Sequence, residues 1–360
     1  MNFNRISMFV AAVLVFSTAC NPYKIEIPHW PYEDPDWVDD GSGNGGAWDP
    51  EASGSTVVYP EAGGEKVKTL LTTSGWSTSV IDDGLTFYHF MGKSEDANND
   101  NQDVYVLELD LDNPNYRLYF HFGSNTTSGA ASNLNAVAAI NATYERPAVY
   151  IRVQGTNKEE VTLEPGHQRF WKHGGAIVGD GRKIAIVNGS GPYKEQPHTD
   201  QAGEYAIQLY KSLKEPNIFA SAPMLIDDYD PVGERFVPEG IDASKMEKES
   251  AFGHQGNRHP RTAYALTADN DLLLVVVDGR SNSAKGMTAK ELTRFLKRHF
   301  NPRWAVNMDG GGSSAMYIKG HGSKDKNDIV NNYCDTDDNG KFVERSVPTH
   351  LIIQKYAANK

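Results

Sequence analysis

Apolar and polar positions divide this chain unevenly. Met8 to Phe16 is an apolar run, shorter than the roughly 20 residues that a bilayer span needs. Residues 21 to 56 then show no period. Pro22, Pro28, Pro31, Pro35 and Pro50 interrupt them, together with the run Gly41-Ser42-Gly43-Asn44-Gly45-Gly46. Such a stretch cannot bury a core and predicts a flexible tether over 20–56. From Thr56 onward alternation takes over. Leu85 to Met91 and Val104 to Leu111 read as strands, as does Tyr116 to Phe122, and the turn at Asn113-Pro114 predicts that the last two form a hairpin. The polar segment Ser94 to Asp103 reads as a surface loop. Ala-rich Leu134 to Ile140 predicts a short helix running into a strand. Val149 to Gln154 is a strand, and Gly174 to Val187 a hairpin turned by Gly179-Asp180-Gly181. Ile218 to Ile226 is a further apolar segment, and residues 228 to 260 read as a polar excursion over the surface.

The second half is more regular. Arg261 to Thr267 and Leu272 to Val277 flank the turn Asp269-Asn270-Asp271, and Leu-Leu-Leu-Val-Val-Val predicts a strand buried on both faces. Thr288 with Glu291 predicts a capped helix, with Ala289, Leu292, Phe295 and Leu296 on one face and an end near Phe300. Trp304 to Asp309 is the next strand. Strand, helix, strand, with polar residues where both strands end, is the order in which ligands bind beyond the strand C-termini. Asp278 and Asp309 are therefore expected at one mouth, on adjacent strands.

Composition adds an address. The 360 residues suffice for one large domain or two small ones. A net charge of -12 without a basic block argues against nucleic acid. Arg5 opens a short basic region, and Ser17-Thr18-Ala19 places small residues before Cys20. This resembles a bacterial lipoprotein signal over 1–19, with lipid on Cys20 and a soluble domain, 57–360, held at the envelope. An ordinary secretory signal is the other reading. Cys334 would then be the one unmodified thiol, which rules out an intramolecular disulfide.

The candidate chemistry gathers at Asn307-Met308-Asp309-Gly310-Gly311-Gly312-Ser313-Ser314. Consecutive glycines allow positive φ and close approach to backbone N–H groups. Serines can cap a turn or bond a ligand. A plain tight turn is the bland alternative. Asp335-Thr336-Asp337-Asp338-Asn339-Gly340 spaces oxygens like the start of a calcium loop, but Ser346 stands where such a loop ends in Glu, so calcium competes with a solvated acidic turn. No zinc spacing is present; His167 and His173 read as structural or as pocket neighbours.

The order of Ile140-Asn141-Ala142-Thr143, His259-Pro260-Arg261-Thr262, Val277-Asp278-Gly279-Arg280, Gly286-Met287-Thr288, the Gly-Gly-Gly loop and Arg345-Ser346-Val347-Pro348 resembles the phosphodiester glycosidase family, over roughly residues 80 to 355. The family includes the mammalian uncovering enzyme. Ala142-Thr143-Tyr144 departs from its pattern after Asn141. The resemblance implies an α/β fold with a mixed β-sheet, flanking helices and a polar cavity at the strand C-terminal ends. It further implies hydrolysis of a sugar-1-phosphodiester, with a phosphorylated glycan as partner and no required cofactor. Asp309 would act as nucleophile or base and Asp278 as its partner. Arg261 and Arg280 would hold phosphate, since a guanidinium can bond it twice, unless they are structural ion pairs. Thr262, Asn307, Gly310, Gly311, Gly312, Ser313 and Ser314 would line the substrate. Asn141 would position a sugar hydroxyl or acetamido group, or merely close a strand. A glycan-binding lipoprotein without catalysis and a phosphodiesterase cutting P–O are the rival functions.

Overall fold

The computed structural model describes residues 48–60, 71 and 74–356. The expected leader, Cys20 and most of the tether lie outside them. A compact unit runs from Asp49 to Lys360, so Pro50–Ser53, a short helix, belongs to it. Among the described residues no helix is long and apolar enough to cross a membrane.

Among the described residues, eighteen strands follow in chain order. The first seven are β1 (Trp76–Asp82), β2 (Leu85–Ser94), β3 (Asp100–Asp110), β4 (Tyr116–Asn125), β5 (Ala138–Asn141), β6 (Ile151–Val153) and β7 (Thr156–Glu159). Next come β8 (Gly175–Gly179), β9 (Ile184–Asn188), β10 (Asn217–Ser221), β11 (Met224–Ile226), β12 (Arg261–Leu266) and β13 (Asp271–Val277). The last are β14 (Trp304–Asn307), β15 (Met316–Ile318), β16 (Asp335–Thr336), β17 (Phe342–Val343) and β18 (Val347–Lys355).

Three larger sheets form, ordered β1-β2-β3-β13-β12-β14-β11, β7-β6-β10-β8-β9 and β15-β5-β18-β4. Period-two alternation decides how they meet. In β13, Leu272, Leu274 and Val276 enter a core shared with Leu118, Phe120, Ile140, Ile177, Phe219, Leu351 and Ile353 from the other two sheets. Its alternate residues Leu273, Val275 and Val277 pack instead under Leu292, Phe295 and Leu296 of the helix Ala289–His299. Fully burying one such side chain is worth about 1.5–3 kcal/mol. The other sheets follow the same rule. Ala206 and Tyr210 of the helix Asp200–Ser212 cover Ala176 and Val178. Ala130 and Ala131 of the helix Thr127–Asn133 cover Ala139 and Ile352.

The strand buried on both faces and the capped helix are as expected. Thr288 and Glu291 close a capping box, and Phe300 is the C-cap. Several expectations need correction. In place of one mixed sheet there are several, and every pairing among the described strands is antiparallel. β3 and β4 are not a hairpin. Both edges of β3 are taken, by β2 and β13, and the Asn113-Pro114 turn carries β4 to another sheet, beside β18. Leu107 and Leu118 then enter the same core from different sheets. Residues 100–103 are not loop but strand, paired with 91–94. The short helix lies at Thr127–Asn133, ahead of the expected position, with Leu134 as its C-cap. Ile218 to Ile226 splits at Ala222-Pro223 into β10 and β11, which join different sheets. The 228–260 excursion ends in a helix, Ala251–Gly256, that buries Gln255.

Candidate active site at the strand ends

Arg261 pairs with Val277, and Ala263 with Asn307. β12 therefore begins where β13 and β14 end, and Asp278 and Asp309 leave the same edge of the sheet. Their strands are not adjacent, because β12 lies between them. The loop after β14 is sewn to its surroundings by backbone bonds. Met308 N donates to Thr262 O at 2.8 Å, Asp309 N to Ala142 O at 2.9 Å and Gly311 N to Pro260 O at 2.8 Å. Gly311 needs its positive φ of 61°, and a Cβ on Gly312 would stand 2.2 Å from the Asp335 carboxylate. The glycines thus serve close contact as well as the turn.

A buried polar chain runs from the Asp278 carboxylate to the backbone carbonyl of Asp309. Asn331 Nδ2 donates to Asp278 Oδ1 at 3.1 Å and to Ser314 O at 3.0 Å. Thr262 Oγ1 donates to Asn141 Oδ1 at 2.8 Å and lies 3.2 Å from Ser314 Oγ, whose hydroxyl is free to donate to it. Asn141 Nδ2 donates to Asp309 O at 2.7 Å, and Ala315 N to Asn141 Oδ1 at 3.1 Å. Asn141, Thr262 and Ser314 consequently spend their bonds on positioning the loop. Asn307 does the same on the far side, its Nδ2 donating to Tyr144 OH, Ala222 O and Met308 O at 2.7–2.9 Å.

Both carboxyls are weak acids for aspartates. Burial pushes Asp278 up to about 6, against hydrogen bonds from Asn331 and Asn332 that lower it, with the Asp103 charge adding to the rise. Burial likewise pushes Asp309 up to about 6, although it keeps some solvent contact; a Ser313 hydrogen bond and the Lys172 and Arg345 charges oppose, while Glu145 adds. Desolvation disfavours the charged form in each case.

The arginines divide differently from expectation. Arg261 is fully buried, and its guanidinium is committed to the protein. Nε donates to Met287 O at 2.8 Å, Nη1 to Gln255 Oε1 at 3.0 Å, and Nη2 to His254 O and Asn257 O at 3.0 and 2.8 Å. The fork expected to read phosphate instead ties the start of β12 to Met287 and to the helix Ala251–Gly256 and its C-cap. Arg280 is exposed and loosely held, with Nη2 3.4 Å from His259 Nδ1 and Nη1 3.6 Å from Cys334 Sγ. It lies over Gly311 and lines a cavity of about 320 Å³ with Asp278, Asn332, Tyr333 and Cys334.

Other site residues had no linear signal. Lys172 is buried, with Nζ 3.0 Å from Glu145 Oε1 and 3.1 Å from Glu249 Oε2, and its charge reaches Asp309. Arg345 donates from Nη1 to Ser313 Oγ at 3.2 Å and from Nε to Asp335 Oδ2 at 2.7 Å. In the segment resembling a calcium loop, Asp335 is thus paired with Arg345, and Asp337 Oδ1 accepts from Asn339 N and Lys341 N at 2.9 Å. His173 is buried against Gly203 of the helix Asp200–Ser212, and His167 Nδ1 accepts from Arg169 N.

Comparison with known proteins agrees with this architecture. The family model described as phosphodiester glycosidase matches residues 134–354. Among solved structures, the zebrafish N-acetylglucosamine-1-phosphodiester alpha-N-acetylglucosaminidase catalytic domain, auto-inhibited by its pro-peptide, superposes with a TM-score of 0.53 at 16% identity. That match covers 79% of this chain and 89% of the zebrafish one. A putative exported protein of Burkholderia pseudomallei gives a TM-score of 0.46 at 16% identity, over 71% of this chain and 74% of its own. No curated protein matches. By the segment matched, the chain belongs to the phosphodiester glycosidase family.

Proposed function

We propose that this protein hydrolyses a sugar-1-phosphodiester at the glycosidic bond, in the processing of envelope or surface glycans. The observation that carries the reading is the polar chain from Asp278 to Asp309, which ties two weakly acidic carboxyls to one glycine-rich loop. Two carboxyls that titrate near neutrality can supply one ionised and one protonated group at once. Asp309 acts at the anomeric carbon as nucleophile or base, and Asp278 is its partner. Water adds across the C1–O bond, leaving the sugar with a new hydroxyl and releasing a phosphate monoester. That leaving group is stable as an anion, so cationic holding matters more than strong acid help. Arg280 faces the cavity and supplies it, with Arg345 steadying Ser313. N-acetylglucosamine is the sugar to try first, since the zebrafish relative's name specifies it.

Hydrolysis of N-acetylglucosamine-1-phosphomethyl ester in ¹⁸O-labelled water tests this. Label is expected in the sugar. Label in phosphate would instead establish a phosphodiesterase, and tight binding without turnover a glycan-binding protein.

A further inference from the structure

A buried titratable cluster adjoins Asp278 on strands that precede the family-matched segment. Register and period two assemble it. His89 pairs with Tyr105, Tyr105 pairs with Val276, and Asp278 N donates to Asp103 O at 2.9 Å. His89, Tyr105, Asp103 and Asp278 thereby share one face of the seven-stranded sheet. His89 Nε2 lies 2.6 Å from Asp103 Oδ1, with side-chain exposures of 28% and 10%. The His89 and Tyr105 rings stack at 4.5 Å and 12°. Like charges facing each other across two strands repel, and buried carboxylates need partners. Here the imidazole engages Asp103, while both carboxylates act on the Tyr105 phenol by hydrogen bond and charge.

We propose that His89, Asp103 and Tyr105 are positioning residues that set the charge of Asp278 through the β3–β13 strand pair, a role that rests on the glycosidase reading. His89 Nε2 and Asp103 Oδ1 are in direct hydrogen-bond contact, so a protonated imidazole would sit against the Asp103 carboxylate. When His89 shields Asp103, Asp278 ionises more readily; when Asp103 stands unshielded, Asp278 holds its proton. The other charged or titratable groups around Asp278 are Arg280, Lys326, Tyr333 and Cys334, which line its cavity, and His259, which touches Arg280. None of these lies on β2 or β3, so substitutions in the cluster leave them in place.

The test uses the pH profile of kcat/KM together with carboxyl ¹³C titration of aspartate-labelled protein, the Asp278 signal being identified by its loss in Asp278→Glu. Asp103→Asn removes the facing charge and should move the Asp278 titration down by about half a pH unit or more. His89→Gln keeps a donor but removes the charge, and should move it up by a similar amount. In the double variant the His89→Gln effect should vanish, because no facing charge is left to shield. Shifts of opposite sign are not what general loosening of the sheet produces. An unmoved titration, or shifts of the same sign, would overturn the relay. The NMR readout needs no turnover, so the two ideas separate. Moved titrations without hydrolysis retain the coupling and sink the glycosidase; hydrolysis with an unmoved titration does the reverse.

Discussion

Arg261 leaves β12 on the same face as Ala263 and Ala265, toward the helix Ala289–His299, where three carbonyls and Gln255 absorb its guanidinium. Arg280 sits in the loop just beyond the end of β13, with weak partners and an open cavity beside it. Truncating the two should therefore have opposite signatures. Arg261→Ala strands several buried acceptors at about 1–3 kcal/mol each, so thermal stability should drop sharply and turnover should fall equally on phosphorylated and aryl glycosides. Arg280→Ala should change stability by less than about 0.5 kcal/mol. It should lower kcat/KM for the phosphodiester at least roughly tenfold, the equivalent of about 1.4 kcal/mol. Asp309 gives a further test. Its acidity is weakened from 3.8 to about 6 in the folded state. The folded protein thus binds more protons than the unfolded one between those values, so stability falls as pH rises through that window. Asp309→Asn removes the cost of a buried charge. It should abolish hydrolysis yet raise the melting temperature at pH 8, an advantage on the order of 3 kcal/mol at most, by about 1.4 kcal/mol per unit. Below pH about 4 the advantage should disappear, and a melting curve indifferent to pH would contradict the assignment.

At the scale of elements, the helix Ala289–His299 links stability to the site. Its Thr288 cap follows Met287, whose carbonyl accepts from Arg261. Replacing such a cap by Ala costs roughly 1 kcal/mol. Thr288→Ala should lower the melting temperature by a few degrees, measured by calorimetry, with a modest loss of activity as the Arg261 clamp loosens. This helix was legible because a capping box and a 3.6-residue apolar stripe are local. The β12–β13 hairpin was legible for the same reason, through its turn residues and a run of six apolar positions. The supposed β3–β4 hairpin was not, because a short turn after a strand serves equally to pair neighbours or to cross between sheets. What decides is whether the strand's edges are already occupied, and β13, far along the chain, occupies one of them.

For the whole molecule, three sheets turn one face each to a common core and cover the other with a helix. This layering brings loops from residues 141, 261, 278, 309 and 331 to one place. The sequence around Cys20 carries the remaining proposal, that the domain is tethered by lipid to the cell envelope. Mass spectrometry of the mature protein should find an acylated Cys20 at its N-terminus, and Cys20→Ser should release the protein from membranes. An unmodified N-terminus beyond Cys20 would refute the anchor.

Local pattern alone determined that a strand buried on both faces ends at Asp278, that a capped helix follows, and that a glycine-rich loop follows Asp309. It also determined that both aspartates are carried to one edge, since a helix between two strands returns the chain to its starting end. Residue spacing could not decide which arginine is free, because exposure depends on what packs against the strand from Met287 and the helix Ala251–Gly256. Nor could it place Lys172 beside Asp309 or Asp103 opposite Asp278, since those neighbours arrive from distant strands. Charges interact through space and burial, and those distances exist only once the sheets have closed around their core.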